Sequence, residues 1–157
     1  MKEQDRHFMQ QAIDLSIENV ANGGGPFGAV IVRNNKIVST GVNRVTANND
    51  PTAHAEVSAI RAACQREESF KLEGCTIYTS CEPCPMCLSA IYWAGISRIC
   101  FANTKQDAEN INFGDKFIYE EIGRPISERT IPTESFMREE ALKAFREWEA
   151  KTDKVEY

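Results

Sequence analysis

The sequence predicts an α/β protein built in three layers, α/β/α, around a mixed central sheet. Three observations lead there. Two β-branched runs, FGAVIVR and KIVSTGVN, flank the dipeptide Asn34-Asn35 and read as an antiparallel pair. Downstream, helical and strand-like segments alternate, which implies crossover connections and helices on both sheet faces. An amphipathic segment precedes the first strand and supplies a further helix.

From Arg6 to Asn22 the apolar residues Phe8, Met9, Ala12, Ile13, Ile17 and Val20 recur at helical spacing. The run stops at Gly23, Gly24 and Gly25, which do not sustain a helix. No G-K-[ST] follows them, so they read as a turn that brings backbone close to a ligand rather than as a phosphate loop. Strands are expected over Phe27 to Arg33 and Lys36 to Asn43, then a polar loop from Arg44 to Asp50. A helix follows over His54 to Arg66, capped by Thr52 or Asp50. Cys75 to Thr79 is the third strand, Pro85 to Ala94 a helix, and Arg98 to Ala102 the fourth strand. Beyond Asn103 the pattern loosens: short helices are expected over Asp107 to Asn112 and Lys116 to Ile122, with Pro125 and Pro132 as punctuation. Met137 to Lys151 is strongly helical, with Leu142, Phe145 and Trp148 on one stripe, and the last residue, Tyr157, reads by position as frayed tail.

The chain has 157 residues, 42% of them hydrophobic, which suits a single domain over 1–157 with one sizeable core. It contains no run of about 18 apolar residues, and MKEQDRHFMQ lacks the apolar segment of a secretory leader. The expectation is a cytoplasmic protein with no membrane partner. Six cysteines without a leader fit a reducing compartment; Cys64, Cys75 and Cys100 lie in apolar runs and read as buried thiols. Net charge is −5, from 18 basic and 23 acidic residues, and no basic run is present. Because phosphate neutralisation supplies much of the affinity for nucleic acid, a small molecule is the better substrate class.

The chemistry concentrates between Pro51 and Gly95. His54 and Glu56 form H-A-E, and Pro83, Cys84 and Cys87 form P-C-x-x-C. Two thiolates three residues apart in a first helical turn face one metal, and the helix N-terminus favours their charge. An imidazole from His54 is a third ligand, and the fourth tetrahedral position is left to water, as in a catalytic zinc site. Glu56, two residues on, is placed to move the water's protons. A C-x-x-C alone is equally a redox pair or half of a structural zinc knuckle; the proline and the glutamate favour catalysis. Cys81, three residues before Cys84, is either a bystander or an alternative ligand, and His7 lies in the polar first helix. Asn43, by position alone, is a turn residue.

These motifs resemble the cytidine deaminase-like superfamily. GGPFGAVIV, NDPTAHAEV, YTSCEPCPMC, AIYWA and RTIP, with FGDKFIYEEI and the terminal EY, are similar to the short bacterial guanine deaminases across nearly the whole length. That resemblance implies a cytidine deaminase-like fold and the hydrolysis of guanine to xanthine and ammonia, a step of purine catabolism or salvage. It implies one Zn2+ per subunit on His54, Cys84 and Cys87, with Glu56 as proton shuttle. It makes Asn43 and Phe27 base-binding residues, brings Asp115 to the substrate amino group, and has Tyr157 close the pocket. It also implies a homodimer that exchanges C-terminal segments. Where relatives often carry F-D-D, this chain has Phe113-Gly114-Asp115, with one carboxylate fewer. Alternatives within the chemistry are guanosine, cytosine, cytidine or the wobble adenosine of tRNA; outside it, a non-enzymatic zinc-binding module.

Overall fold

The computed structural model describes residues 3–157. Met1 and Lys2, the first two of the ten residues read for a leader, lie outside it. The described residues divide into two compact units between Lys116 and Phe117.

The first unit contains the sheet. Helix α1 (Glu3–Ala21) is followed by β1 (Gly28–Arg33) and β2 (Lys36–Val42). Asn34 and Asn35, at φ 50° and 60°, make the left-handed hairpin turn that asparagine tolerates. A short helix α2 (Val45–Asn48) leads to α3 (Ala55–Glu67), β3 (Thr76–Cys81), α4 (Pro85–Trp93), β4 (Arg98–Asn103) and α5 (Lys105–Asn110). The strand order is β2-β1-β3-β4; β1 is antiparallel to both neighbours and β3 is parallel to β4, so the sheet is mixed as expected.

Strand alternation gives the two faces of β1 separate cores. Ala29 and Ile31 join Ala55, Ala59, Ala63, Ile77 and Ile91 beneath α3 and α4. Val30 and Val32 pack with Phe8, Ala12 and Tyr78 beneath α1. The three layers follow from this.

The buried face of α1 differs from the apolar stripe read in the sequence. Ile17 and Val20 are exposed, whereas Asp5, Ser16 and Asn19 are buried beside Phe8 and Ala12. Asp5 accepts hydrogen bonds from the Tyr78 hydroxyl (2.7 Å) and from both terminal nitrogens of Arg98 (2.8 and 3.0 Å), fixing the start of α1 to β3 and β4. These partners lie far along the chain, where helical periodicity has no view of them.

The second unit contains α6, Lys116–Gly123, which begins at the division, a 3-10 turn Ile126–Glu128 and α7 (Arg138–Ala150). Phe145 and Trp148, from the stripe read in the sequence, are exposed, as are Phe117, Ile118 and Ile122. No described helix is long and apolar enough to cross a membrane.

The placement of α3 depends on one close approach. A Cβ built on Gly41 of β2 would lie 2.2 Å from the carbonyl oxygen of Ala55 and 2.5 Å from the nitrogen of Ala59, both backbone atoms of α3. The small side chains of Ala55, Ala59 and Ala63 complete the fit, and Ser39 donates to the Ala59 carbonyl (2.7 Å). Gly41→Ala is therefore expected to push the first turn of α3 outward. Overpacking of this kind costs about 1–3 kcal/mol, and a displacement of about 1 Å at reacting groups costs about 10²-fold in rate. Thermal unfolding should show a lower Tm and an activity assay a loss of about 10²-fold; full turnover would mean that this contact does not position α3.

Candidate metal centre and active site

Two helix N-termini face each other across the site. Thr52 and Asp50, the expected caps of α3, instead bond to each other: the Thr52 N–H and hydroxyl both donate to Asp50 Oδ1 (2.8 and 2.7 Å), and Arg61 holds the pair from outside. His54 is left as the N-cap, in extended backbone and with no side-chain capping bond. Cys84 is the N-cap of α4 in the same conformation, at φ −67° and ψ 168°. Pro85 enforces this, because a residue before proline is driven from helical to extended geometry, while proline itself suits the first helical position. Both side chains are thus released from capping and point at one another.

His54 Nδ1 lies 3.5 Å from the sulfur of Cys84 and 3.5 Å from that of Cys87. Among the described residues, these three form the one group of His, Cys, Asp and Glu ligand atoms that could hold a metal, all within 4.8 Å of one another. The fit to zinc is close: with Zn–S near 2.3 Å and Zn–N near 2.05 Å, a tetrahedral edge is about 3.6 Å. Three donors leave the fourth corner open. The Cys81 sulfur, which the sequence left as an alternative ligand, is buried and directed to the Thr104 carbonyl at 3.7 Å. His7 pairs with Gln11 (3.1 Å) on the exposed side of α1.

The protein's own electrostatics already favour a thiolate. Hydrogen bonding from Cys87, with a smaller contribution from His54, holds Cys84 far below the usual thiol range. Its partners shift in the opposite sense: the bond to Cys84 pushes up both the Cys87 thiol and the His54 ring. A divalent cation replaces the protons these groups share, so its binding releases protons.

Glu56, in the first turn of α3, is only 6% exposed. Burial pushes its carboxyl above the ordinary carboxylate range, and the charge of Cys84 adds to this. Thr79, on β3, was missed by sequence reasoning: its hydroxyl lies 3.3 Å from Glu56 Oε1 and 3.0 Å from the Cys81 carbonyl. The available signal was a threonine within a strand otherwise read as core.

Asn43 directly follows β2 and is 9% exposed. Its N–H donates to the Phe27 carbonyl (3.2 Å), and its Oδ1 accepts from the Val45 N–H (3.3 Å). Phe27 is half-buried, with its ring edge-on to Phe113 at 5.2 Å and 87°. Asp115 is also half-buried; burial and the nearby Cys84 charge raise its carboxyl above the usual range. Gly25 of the triple glycine packs closely on Asn43. A Cβ there would lie 3.1 Å from the Asn43 side chain, so the close approach is to Asn43. Tyr157 lies in the second unit, where it is exposed.

The cytidine and deoxycytidylate deaminase zinc-binding region matches residues 2–103. The chain is 50% identical over 151 residues to the guanine deaminase of Bacillus subtilis (strain 168), covering 96% of this chain and 97% of that protein. It is 42% identical over 101 residues to a tRNA-specific adenosine deaminase of Buchnera aphidicola subsp. Baizongia pistaciae (strain Bp), covering 64% and 62%. The X-ray structure of the Bacillus subtilis guanine deaminase superposes with a TM-score of 0.95 at 48% identity, over 100% of this chain and 99% of that one. The zinc-fitting trio, the buried glutamate beside it and these likenesses agree: the chain belongs to the cytidine and deoxycytidylate deaminase zinc-binding family.

Proposed function

We propose that this chain hydrolyses guanine to xanthine and ammonia, with zinc held by His54, Cys84 and Cys87. The extent of likeness carries the choice of substrate. The match to a guanine deaminase spans 96% of the chain, including the segment that bears Asp115, whereas the match to a tRNA-specific adenosine deaminase spans 64%. A net charge of −5 also disfavours a polynucleotide.

When bound, zinc supplies a Lewis acid that brings the pKa of a water from about 15.7 toward about 7. Glu56 takes a proton from the attacking water, returns it to N3, the ring nitrogen beside C2 that carries no proton, and delivers the second proton to the departing amino group. One water is consumed and one ammonia released, and the carboxylate ends as it began. Its burial supports this shuttle, since a carboxyl with a raised pKa holds a proton during the reaction. With Asn43 Oδ1 occupied by Val45, its amide nitrogen is the group left to donate to an acceptor on the base. Asp115 accepts from the substrate amino group, and Phe27 packs on the purine.

Ammonia release across guanine, guanosine, adenine, cytosine and cytidine tests the assignment. Guanine should be the preferred substrate; turnover of another member without guanine would overturn it. Glu56→Gln should keep full zinc content and lose about 10²- to 10⁴-fold in turnover. A variant within a few-fold of the parent would remove the shuttle and favour a non-enzymatic zinc-binding module.

The reading extends to a cytoplasmic homodimer whose C-terminal segments are exchanged. That none of the six cysteines is disulfide-bonded supports a reducing compartment. The exposed Phe117, Ile122, Phe145 and Trp148 support a partner of the same chain, since that apolar surface is otherwise left in water. On this reading Tyr157 closes the partner's pocket. Deletion of 155–157 should lower guanine turnover more than Tm, and co-expression of that protein with Glu56→Gln should restore activity. Each mixed dimer then has one site with an intact Glu56 and a borrowed tail. No recovery in verified mixed dimers would place the tail within its own chain.

A further inference from the structure

Asn19 lies in the last turn of α1 and is only 8% exposed. Its side-chain nitrogen donates to two backbone carbonyls, that of Gly25 at 2.7 Å and that of Asn43 at 2.9 Å. Two donors on one short side chain require a primary amide: aspartate donates none when ionised, a hydroxyl donates one, and leucine fills the space without donating. The surrounding backbone is shaped to admit this group. The Gly24 N–H donates to the Asn19 carbonyl (2.8 Å), and a Cβ on Gly24 would lie 2.4 Å from the Asn19 side-chain nitrogen. Gly24 is therefore glycine because Asn19 is beside it.

The second of these bonds completes the fixation of Asn43. Phe27 takes its N–H, Val45 occupies its side-chain oxygen, and Asn19 holds its carbonyl. The first bond holds Gly25, which lies against the Asn43 side chain and whose carbonyl also accepts from the Phe27 N–H (2.8 Å). Asn19 therefore ties together both stretches that carry the proposed base-binding residues Phe27 and Asn43.

We infer that Asn19 is a positioning residue for base recognition, acting through Asn43 to aim that residue's amide nitrogen at the substrate. This rests on the guanine reading and on Asn43 as the residue that reads the base. A site whose selectivity depends on directed hydrogen bonds loses it when the donor swings away, although the donor itself is still present.

A double-mutant cycle in the full-length zinc-loaded enzyme tests the inference, with Asn19→Leu and Asn43→Ala made singly and together. Asn19→Leu should raise KM for guanine about 10-fold with kcat within about 3-fold and zinc content unchanged, the pattern of lost substrate binding. In the Asn43→Ala background the same substitution should change KM by less than about 2-fold. Asn19→Ser, which keeps one donor and a smaller side chain, should fall between parent and Asn19→Leu, and it carries the cycle if Asn19→Leu does not fold. A merely structural role would instead lower kcat with the active fraction, leave KM alone and act equally in both backgrounds; that result overturns the inference. The parent serves as the control for the reading beneath it: a parent inactive on guanine removes that reading, whereas an active parent with an additive cycle removes only the role of Asn19.

Discussion

The site depends on how closely α3 can approach the sheet. Gly41 has no side chain and meets α3 at Ala55 and Ala59, so the helix lies almost backbone to backbone on β2. That contact fixes where α3 begins, with His54 at its N-cap and Glu56 in its first turn. Across from it, Pro85 fixes the start of α4 and with it Cys84 and Cys87. Two helix starts converge, each contributing a candidate metal ligand at its cap, His54 or Cys84, and a further candidate group within its first turn, Glu56 or Cys87.

This arrangement also explains how so much negative charge is tolerated. Two cysteine sulfurs and a buried carboxylate would repel one another strongly in a medium of low dielectric. The positive ends of two helix dipoles offset part of that repulsion, and a divalent cation offsets most of the rest. Since the unfolded chain has no such site, the free energy of metal binding is also folding free energy. The zinc centre and the packing of α3 and α4 therefore support each other.

What was legible in the sequence was local. A histidine, a glutamate and two cysteines at spacings of two and three residues become geometry as soon as a helix starts there, so the convergence of His54, Cys84 and Cys87 was legible. The Asn34-Asn35 turn was legible for the same reason, because φ is a property of the residue itself. The first short helix after β4 was placed two residues late, at Asp107, although Thr104 and Asp107 form a complete capping box, a signal the sequence already carried. What was not legible was anything set by distant partners. Asp5 is buried because Tyr78 and Arg98 reach it, and Asn19 because Asn43 does. A search for apolar periodicity passes over both, since each is polar and each is on the buried face. The same limit applied at β3, which continues to Cys81 through its parallel pairing with Asn103 instead of ending at Thr79. Asn43 is the turn residue its position suggests, its Oδ1 accepting from the Val45 N–H, but its ties to Phe27 and Asn19 come from distant segments.

These two helix starts are expected to hold one zinc with three protein ligands and an open corner. X-ray absorption at the zinc edge of the purified protein tests it most directly. The expected shell is two sulfurs at about 2.3 Å and two nitrogen or oxygen ligands at about 2.0 Å, one from His54 and one from water. A shell of three or four sulfurs would bring in a further cysteine, close the fourth position, and make the zinc structural.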